Sequence, residues 1–94
     1  YFGSADGNIY CLEADNAKEI WKFQTGSQVS GSPATYRDWI YCGTADGTIY
    51  CLDHRNGRVR WKFLTDGPIT GTPQVYNDMV YFGSADHMVY ALSA

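Results

Sequence analysis

No apolar run in this 94-residue chain approaches the roughly 18 residues of a membrane-spanning helix. No stretch shows the spacing of apolar residues that marks an amphipathic helix, so the architecture reads as all-β. Basic residues are few: seven Lys and Arg stand against ten Asp and Glu, for a net charge of −3. That balance leaves no electrostatic footprint for nucleic acid or an anionic membrane. Cysteine is limited to Cys11, Cys42 and Cys51. An odd count without a Cys-x-x-Cys spacing argues against a disulfide framework. It mildly favours a reducing, cytoplasmic compartment and leaves the periplasm open. There is no Asn-x-Ser/Thr acceptor and no leader sequence. Tyr1 opens directly into a strand pattern, which reads as an excised segment, so the missing leader says little about the parent protein. A core of this size buries only roughly 60–65% of the unfolded surface and needs further cover.

What the chain does have is a repeat. Tyr-Phe-Gly-Ser-Ala-Asp-Gly at Tyr1–Gly7 returns as Tyr-Cys-Gly-Thr-Ala-Asp-Gly at Tyr41–Gly47 and as Tyr-Phe-Gly-Ser-Ala-Asp-His at Tyr81–His87, 40 residues apart each time. Trp21-Lys22-Phe23 returns as Trp61-Lys62-Phe63, and Gly31-Ser32-Pro33 as Gly71-Thr72-Pro73. Each period predicts four short antiparallel strands. In the central copy they run over 41–44, 48–52, 59–64 and 69–76, joined by turns at Asp53–Gly57, Asp66–Pro68 and Asn77-Asp78. Asp-Gly between β-branched and aromatic runs is a hairpin signal, and the reading takes it as a two-residue turn. That register sets Phe2 opposite Cys11, Cys42 opposite Cys51 and Phe82 opposite Ala91. On the other face it sets Gly43 under Tyr50 and Gly3 under Tyr10, leaving room for the ring.

Both faces of such a hairpin are apolar, so both need a cover, and the only cover in the sequence is the next copy. Sheets stacked about an axis make a propeller. The strand with Pro33 or Pro73 lacks a donor and carries small residues, which places it innermost. The Trp strand, with Lys18, Lys22, Arg58, Arg60 and Lys62 in or beside it, is placed at the outer edge.

Residues 53–63, Asp-His-Arg-Asn-Gly-Arg-Val-Arg-Trp-Lys-Phe, resemble the tryptophan-docking motif of PQQ-like, quinoprotein-type propeller repeats, Ala-Leu-Asp-x-x-Thr-Gly-x-x-x-Trp. The first copy departs from it, with Glu13 for the Asp and Ala17 for the Gly, and Asn16 and Asn56 stand where Thr is usual. WD-repeat and kelch blades lack this arrangement. The resemblance implies a Trp docked between adjacent blades and a ring of six to eight. It implies a single PQQ-like segment over 1–94, divided into a partial blade 1–28, a blade 29–68 and a partial blade 69–94. Members of the family include quinoprotein dehydrogenases, non-catalytic scaffolds in outer-membrane assembly, and sensor or interaction domains. The dehydrogenases hold a calcium-bound quinone against a vicinal Cys-Cys disulfide, and no Cys-Cys occurs here.

Each candidate site residue also admits a plainer role. Asp6, Asp46 and Asp86 recur and suggest metal sites, but turn capping is favoured. Cys42 and Cys51 make either a cross-strand disulfide or two small buried thiols, with the latter favoured. His54 and His87 read as solvated loop residues. Ser4, Ser30 and Ser32 have no His at an equivalent position, so nucleophilic catalysis has almost no support. Trp21 and Trp61 read as inter-blade packing rather than ligand platforms. Trp39, with Met79 at its equivalent place, is either a surface anchor for a partner or core filling. No catalytic, cofactor or metal residue is assigned.

Three functions stay open at this point. The first is a non-catalytic scaffold or protein-interaction segment without cofactor, partnered by further blades or copies of itself, with a protein partner at the loops. The second is a fragment of a PQQ-dependent dehydrogenase using PQQ and calcium. The third is an isolated or engineered propeller fragment that assembles by oligomerisation. Both terminal sheets would bare an apolar face, so the chain is expected to oligomerise or to form part of something larger.

Overall fold

The computed structural model describes residues 2–3, 6–12 and 19–94. Those residues form ten strands and no helix. β1 (Phe2–Gly3), β2 (Asn8–Leu12) and β3 (Glu19–Gln24) make the first sheet. β4 (Val29–Tyr36), β5 (Trp39–Thr44), β6 (Thr48–Asp53) and β7 (Val59–Leu64) make a four-stranded central sheet in that order. β8 (Ile69–Tyr76), β9 (Met79–Ser84) and β10 (Val89–Ser93) make the third. Every pairing is antiparallel. Tyr1, Ser4 and the motif positions Glu13, Asn16 and Ala17 lie outside the described residues.

The central sheet is covered on both faces, as the propeller reading requires. Ile40, Cys42, Tyr50 and Leu52 pack against Ile9, Cys11 and Trp21 of the first sheet. On the other face Tyr41 and Cys51 meet Val80, and Ile49 meets Ile69 and Phe82 of the third. Proline places the edges as expected: β4, with Pro33, is one edge of its sheet, and the charged β7 is the other. The inner strands of neighbouring sheets converge. Gly31 and Gly71 are bulged with φ of 65° and 73°. A Cβ on Gly31 would lie 2.8 Å from the Gly71 carbonyl carbon, and Ser32 N donates to Thr72 Oγ1 at 3.1 Å.

The hairpin register differs from the expectation by one residue. Cys42 pairs with Tyr50, Tyr41 with Cys51 and Gly43 with Ile49; Phe2 faces Tyr10, and Phe82 faces Tyr90. The cause is the turn. A two-residue type I′ turn needs positive φ at both central positions. Only its second residue has it: Gly7 at 88°, Gly47 at 93° and His87 at 74°. Ala45-Asp46-Gly47 is therefore a three-residue loop, closed by Gly47 N donating to the Thr44 carbonyl at 3.1 Å. Cys42 and Cys51 thus lie on opposite faces of the sheet, and all three cysteines are free and buried. The cross-strand disulfide reading is excluded and the small buried thiol stands.

The role expected for Gly43 changes with the register. A Cβ there would fall inside the Ile69 side chain of the next sheet, and one on Gly3 inside Val29. These glycines make room for a neighbouring repeat, not for a tyrosine of their own hairpin.

His87 holds a left-handed backbone where the other copies have glycine. Such a conformation costs an L-residue about 1 kcal/mol. His87→Gly is expected to raise the thermal midpoint, measurable by circular dichroism.

Candidate functional site

The repeated residues converge on the seams between sheets. The loop at 53–58 is tied to itself: Gly57 N donates to the Asp53 carbonyl at 2.8 Å, and the Arg55 guanidinium meets the Asp53 carboxylate at 2.7 Å. It receives Trp21 of the preceding sheet, whose indole N–H donates to the His54 carbonyl at 2.8 Å. The ring lies on Gly57, where a Cβ would stand 2.5 Å from Trp21 Cε3. Gly57 also has φ of 73°, so glycine is required there twice over. Trp21 is 8% exposed. Trp61, its counterpart, is half-buried beside Tyr41, against the clusters of Tyr41, Cys51 and Val80 and of Ile49, Ile69 and Phe82.

Other contacts recur at both seams. Phe23 meets Tyr50 edge-on at 5.3 Å, and Phe63 meets Tyr90 likewise at 5.5 Å. Within each sheet, Thr25 Oγ1 donates to the Gly7 carbonyl at 2.8 Å, and Thr65 Oγ1 to the Gly47 carbonyl at 2.9 Å. Across the seams, Ala45 N donates to the Gln28 carbonyl and Ala85 N to the Pro68 carbonyl, both at 2.8 Å. Thr25, Thr65 and the Phe–Tyr pairs were not singled out in the sequence, although their 40-residue recurrence was the available signal.

The recurring aspartates cap their turns. Asp6, Asp46 and Asp86 accept the amide two residues ahead, from Asn8, Thr48 and Met88, at 3.0, 3.2 and 2.9 Å. Asp6 and Asp86 also accept a tyrosine hydroxyl, Tyr10 at 2.8 Å and Tyr90 at 2.6 Å. Among the described residues no three His, Cys, Asp or Glu come together as a metal cage. His54 is half-exposed, 3.5 Å from Asp38, and His87 sits exposed in its turn. Trp39 packs beside Tyr41 with the Arg60 guanidinium 4.2 Å over its ring. Arg60 is the extra residue of a bulge between Val59 and Trp61. Trp39 therefore fills the rim of a core, the second of its two readings.

The turns and the buried tyrosine carry a pH signature. Thr44 and Thr48 donors lower the Asp46 pKa, and the Tyr90 hydroxyl with neighbouring amides lowers that of Asp86. Arg55 holds Asp53 at about 2. A lowered folded value stabilises fully above the unfolded value, and that contribution is lost as pH falls through the folded one. At the alkaline end, burial raises Tyr41 to about 12, and the Asp86 hydrogen bond raises Tyr90 to about 12. Raised tyrosines stabilise fully below their unfolded value and lose it as pH climbs to 12. Urea midpoints are therefore expected to be flat from about pH 5 to 9, and to fall below pH 4 and above pH 10.

The sequence profile of a family described as outer membrane protein assembly factor BamB matches residues 5–94. The chain belongs to this family of PQQ-like propeller repeats. BamB from Moraxella catarrhalis superposes with a TM-score of 0.79 at 27% identity, covering 96% of this chain and 27% of that one. The computationally designed Ika4 protein superposes with a TM-score of 0.86 at 22% identity, over 97% of this chain and 57% of that one, which speaks to fold alone. Among curated proteins, the 1-butanol dehydrogenase (quinone) of Thauera butanivorans is 47% identical over 36 residues, 38% of this chain and 6% of that enzyme. The chain thus spans a small part of its curated relative. PQQ-like blades are common to the assembly factor and the dehydrogenase, so blade type does not separate their roles.

Proposed function

We propose that this chain is a non-catalytic scaffold segment of a propeller, whose partners are further blades and a protein held at the loops. One observation carries the reading: the residues that recur at period 40 meet a neighbouring repeat or cap their own turn. Trp21 takes the His54 carbonyl, Gly31 meets Gly71, and Gly43 meets Ile69. Chemistry-bearing side chains are occupied in the same work, with Asp46 and Asp86 capping turns and the three thiols buried.

The short match to a quinone-dependent dehydrogenase supports a second reading, in which PQQ and calcium bind the whole enzyme. The residues here do not fit that group. No vicinal cysteine pair is present, Cys42 and Cys51 lie on opposite faces, and the repeated carboxylates already accept local donors. Purified protein incubated with PQQ and calcium is expected to leave the quinone absorbance unchanged and to reduce no dye with an alcohol substrate. Saturable binding with turnover would replace the scaffold reading by the dehydrogenase one.

A further inference from the structure

The outer edge of the central sheet belongs to a whole blade. β4 to β7 supply its four strands, and a neighbouring repeat stacks on a face of that sheet, as the first and third sheets do, rather than along β7. The edge is therefore a property of the blade itself. Thr65 N donates inward to the Gly47 carbonyl and Asp53 N to the Arg58 carbonyl, both at 2.8 Å. Backbone groups alternate in direction along an antiparallel strand, so Lys62 and Leu64 turn their N–H and C=O groups outward. Such a row is a template for one more strand.

The side chains on this edge have two characters. Val59, Lys62 and Leu64 pair with Leu52, Tyr50 and Thr48, and so share the face turned to the first sheet. Val59 is 42% exposed and Leu64 67%, with β3 of that sheet already in place. Arg58, Arg60 and Lys62 are exposed as well, and residues 58–64 hold no acid. Among the described residues none of these three cations forms an ion pair. Arg60 is engaged over Trp39, which leaves Arg58 and Lys62 as the unmatched charges. Basic side chains alone guard an edge against chance pairing. They do not account for Val59 and Leu64, bared beside them. A charge that repels a basic strand also attracts an acidic one, so the same residues can select a partner.

The geometry points to β7 as the docking edge for an extended segment of a partner protein, in which acidic residues are interspersed with apolar ones. This rests on the scaffold reading, and adds a sheet edge to the loops as a place where a protein is held. The segment forms a fifth strand of the blade. Its backbone meets the outward groups of Lys62 and Leu64, its apolar side chains cover Val59 and Leu64, and its carboxylates meet Arg58 and Lys62.

The test is fluorescence anisotropy of a labelled, end-blocked peptide of about eight residues, half Glu and half Val, a length within the usual range of strands. Titrated with the full chain, it is expected to bind saturably, and more weakly as salt rises. The same peptide with Lys for Glu is expected not to bind. Methylation of alternate peptide nitrogens keeps the charge and removes strand donors, and is expected to abolish binding. Arg58→Glu with Lys62→Glu is expected to weaken the Glu peptide by at least about tenfold and to admit the Lys peptide. Both substitutions replace exposed side chains, and circular dichroism checks the fold. No binding of the Glu peptide by the unaltered chain overturns the proposal. Equal binding of the methylated peptide overturns it too, since charge alone then suffices. So does an unchanged preference in the reversed variant, which places the peptide elsewhere. Each of these leaves the scaffold reading intact, whose own failure is seen separately, as PQQ turnover.

Discussion

Trp21→Ala will lower the unfolding free energy by about 3–5 kcal/mol in a urea titration. The ring is buried, lies on Gly57 and fills the seam between the first and central sheets. Truncation leaves a cavity walled partly by backbone, which collapses poorly. It also strips the His54 carbonyl of its 2.8 Å donor. Trp21→Phe will keep much of the packing and lose that donor, for a smaller deficit of about 1–3 kcal/mol. Trp61→Ala will cost less than Trp21→Ala, because Trp61 is only half-buried. Equal losses at the two tryptophans would contradict seam docking as the source of the effect.

Gly43→Ala carries the second large effect, a loss of about 3 kcal/mol from overpacking. The new Cβ falls inside the Ile69 side chain of the next sheet. Trimming Ile69 to alanine relieves only part of it, since the Ile69 Cβ would still stand 2.6 Å away. Gly83→Ala is the internal control. It occupies the same place in the repeat, but among the described residues its nearest neighbour is Thr70 Oγ1 at 3.0 Å, with no counterpart of Ile69 against it. Its cost will be well below that at Gly43. A like cost at both would assign the effect to the strand itself, not to the seam.

Much of this fold was legible because a duplicated sequence repeats its own evidence. Period-two Trp61 and Phe63 bounded by Gly57 and Pro68 fixed the span of β7, and Pro33 and Pro73 fixed the edge strands. Register was harder. Asp-Gly is compatible with loops of two or three residues, and the difference lies in the sign of φ at the residue before the glycine. Asp-His in the third copy was the available hint, since one positive φ is easier than two for such a pair. The seam at Trp21 was expected from family resemblance. The Thr25 and Thr65 anchors and the Gly43–Ile69 contact were not, because a close approach between distant segments leaves no local pattern in a single chain.

Every inter-sheet contact described runs between one repeat and the next: Trp21 to Gly57, Gly31 to Gly71, Gly43 to Ile69, Tyr36 to Asp78. None skips a repeat. A genetic crossover that inserts or removes 40 residues therefore rebuilds each junction with an equivalent partner, whichever point in the repeat it strikes. One that shifts the count by anything but a multiple of 40 breaks a junction. Such a chain evolves in length by whole steps, and copy number can drift while the joinery stays unchanged.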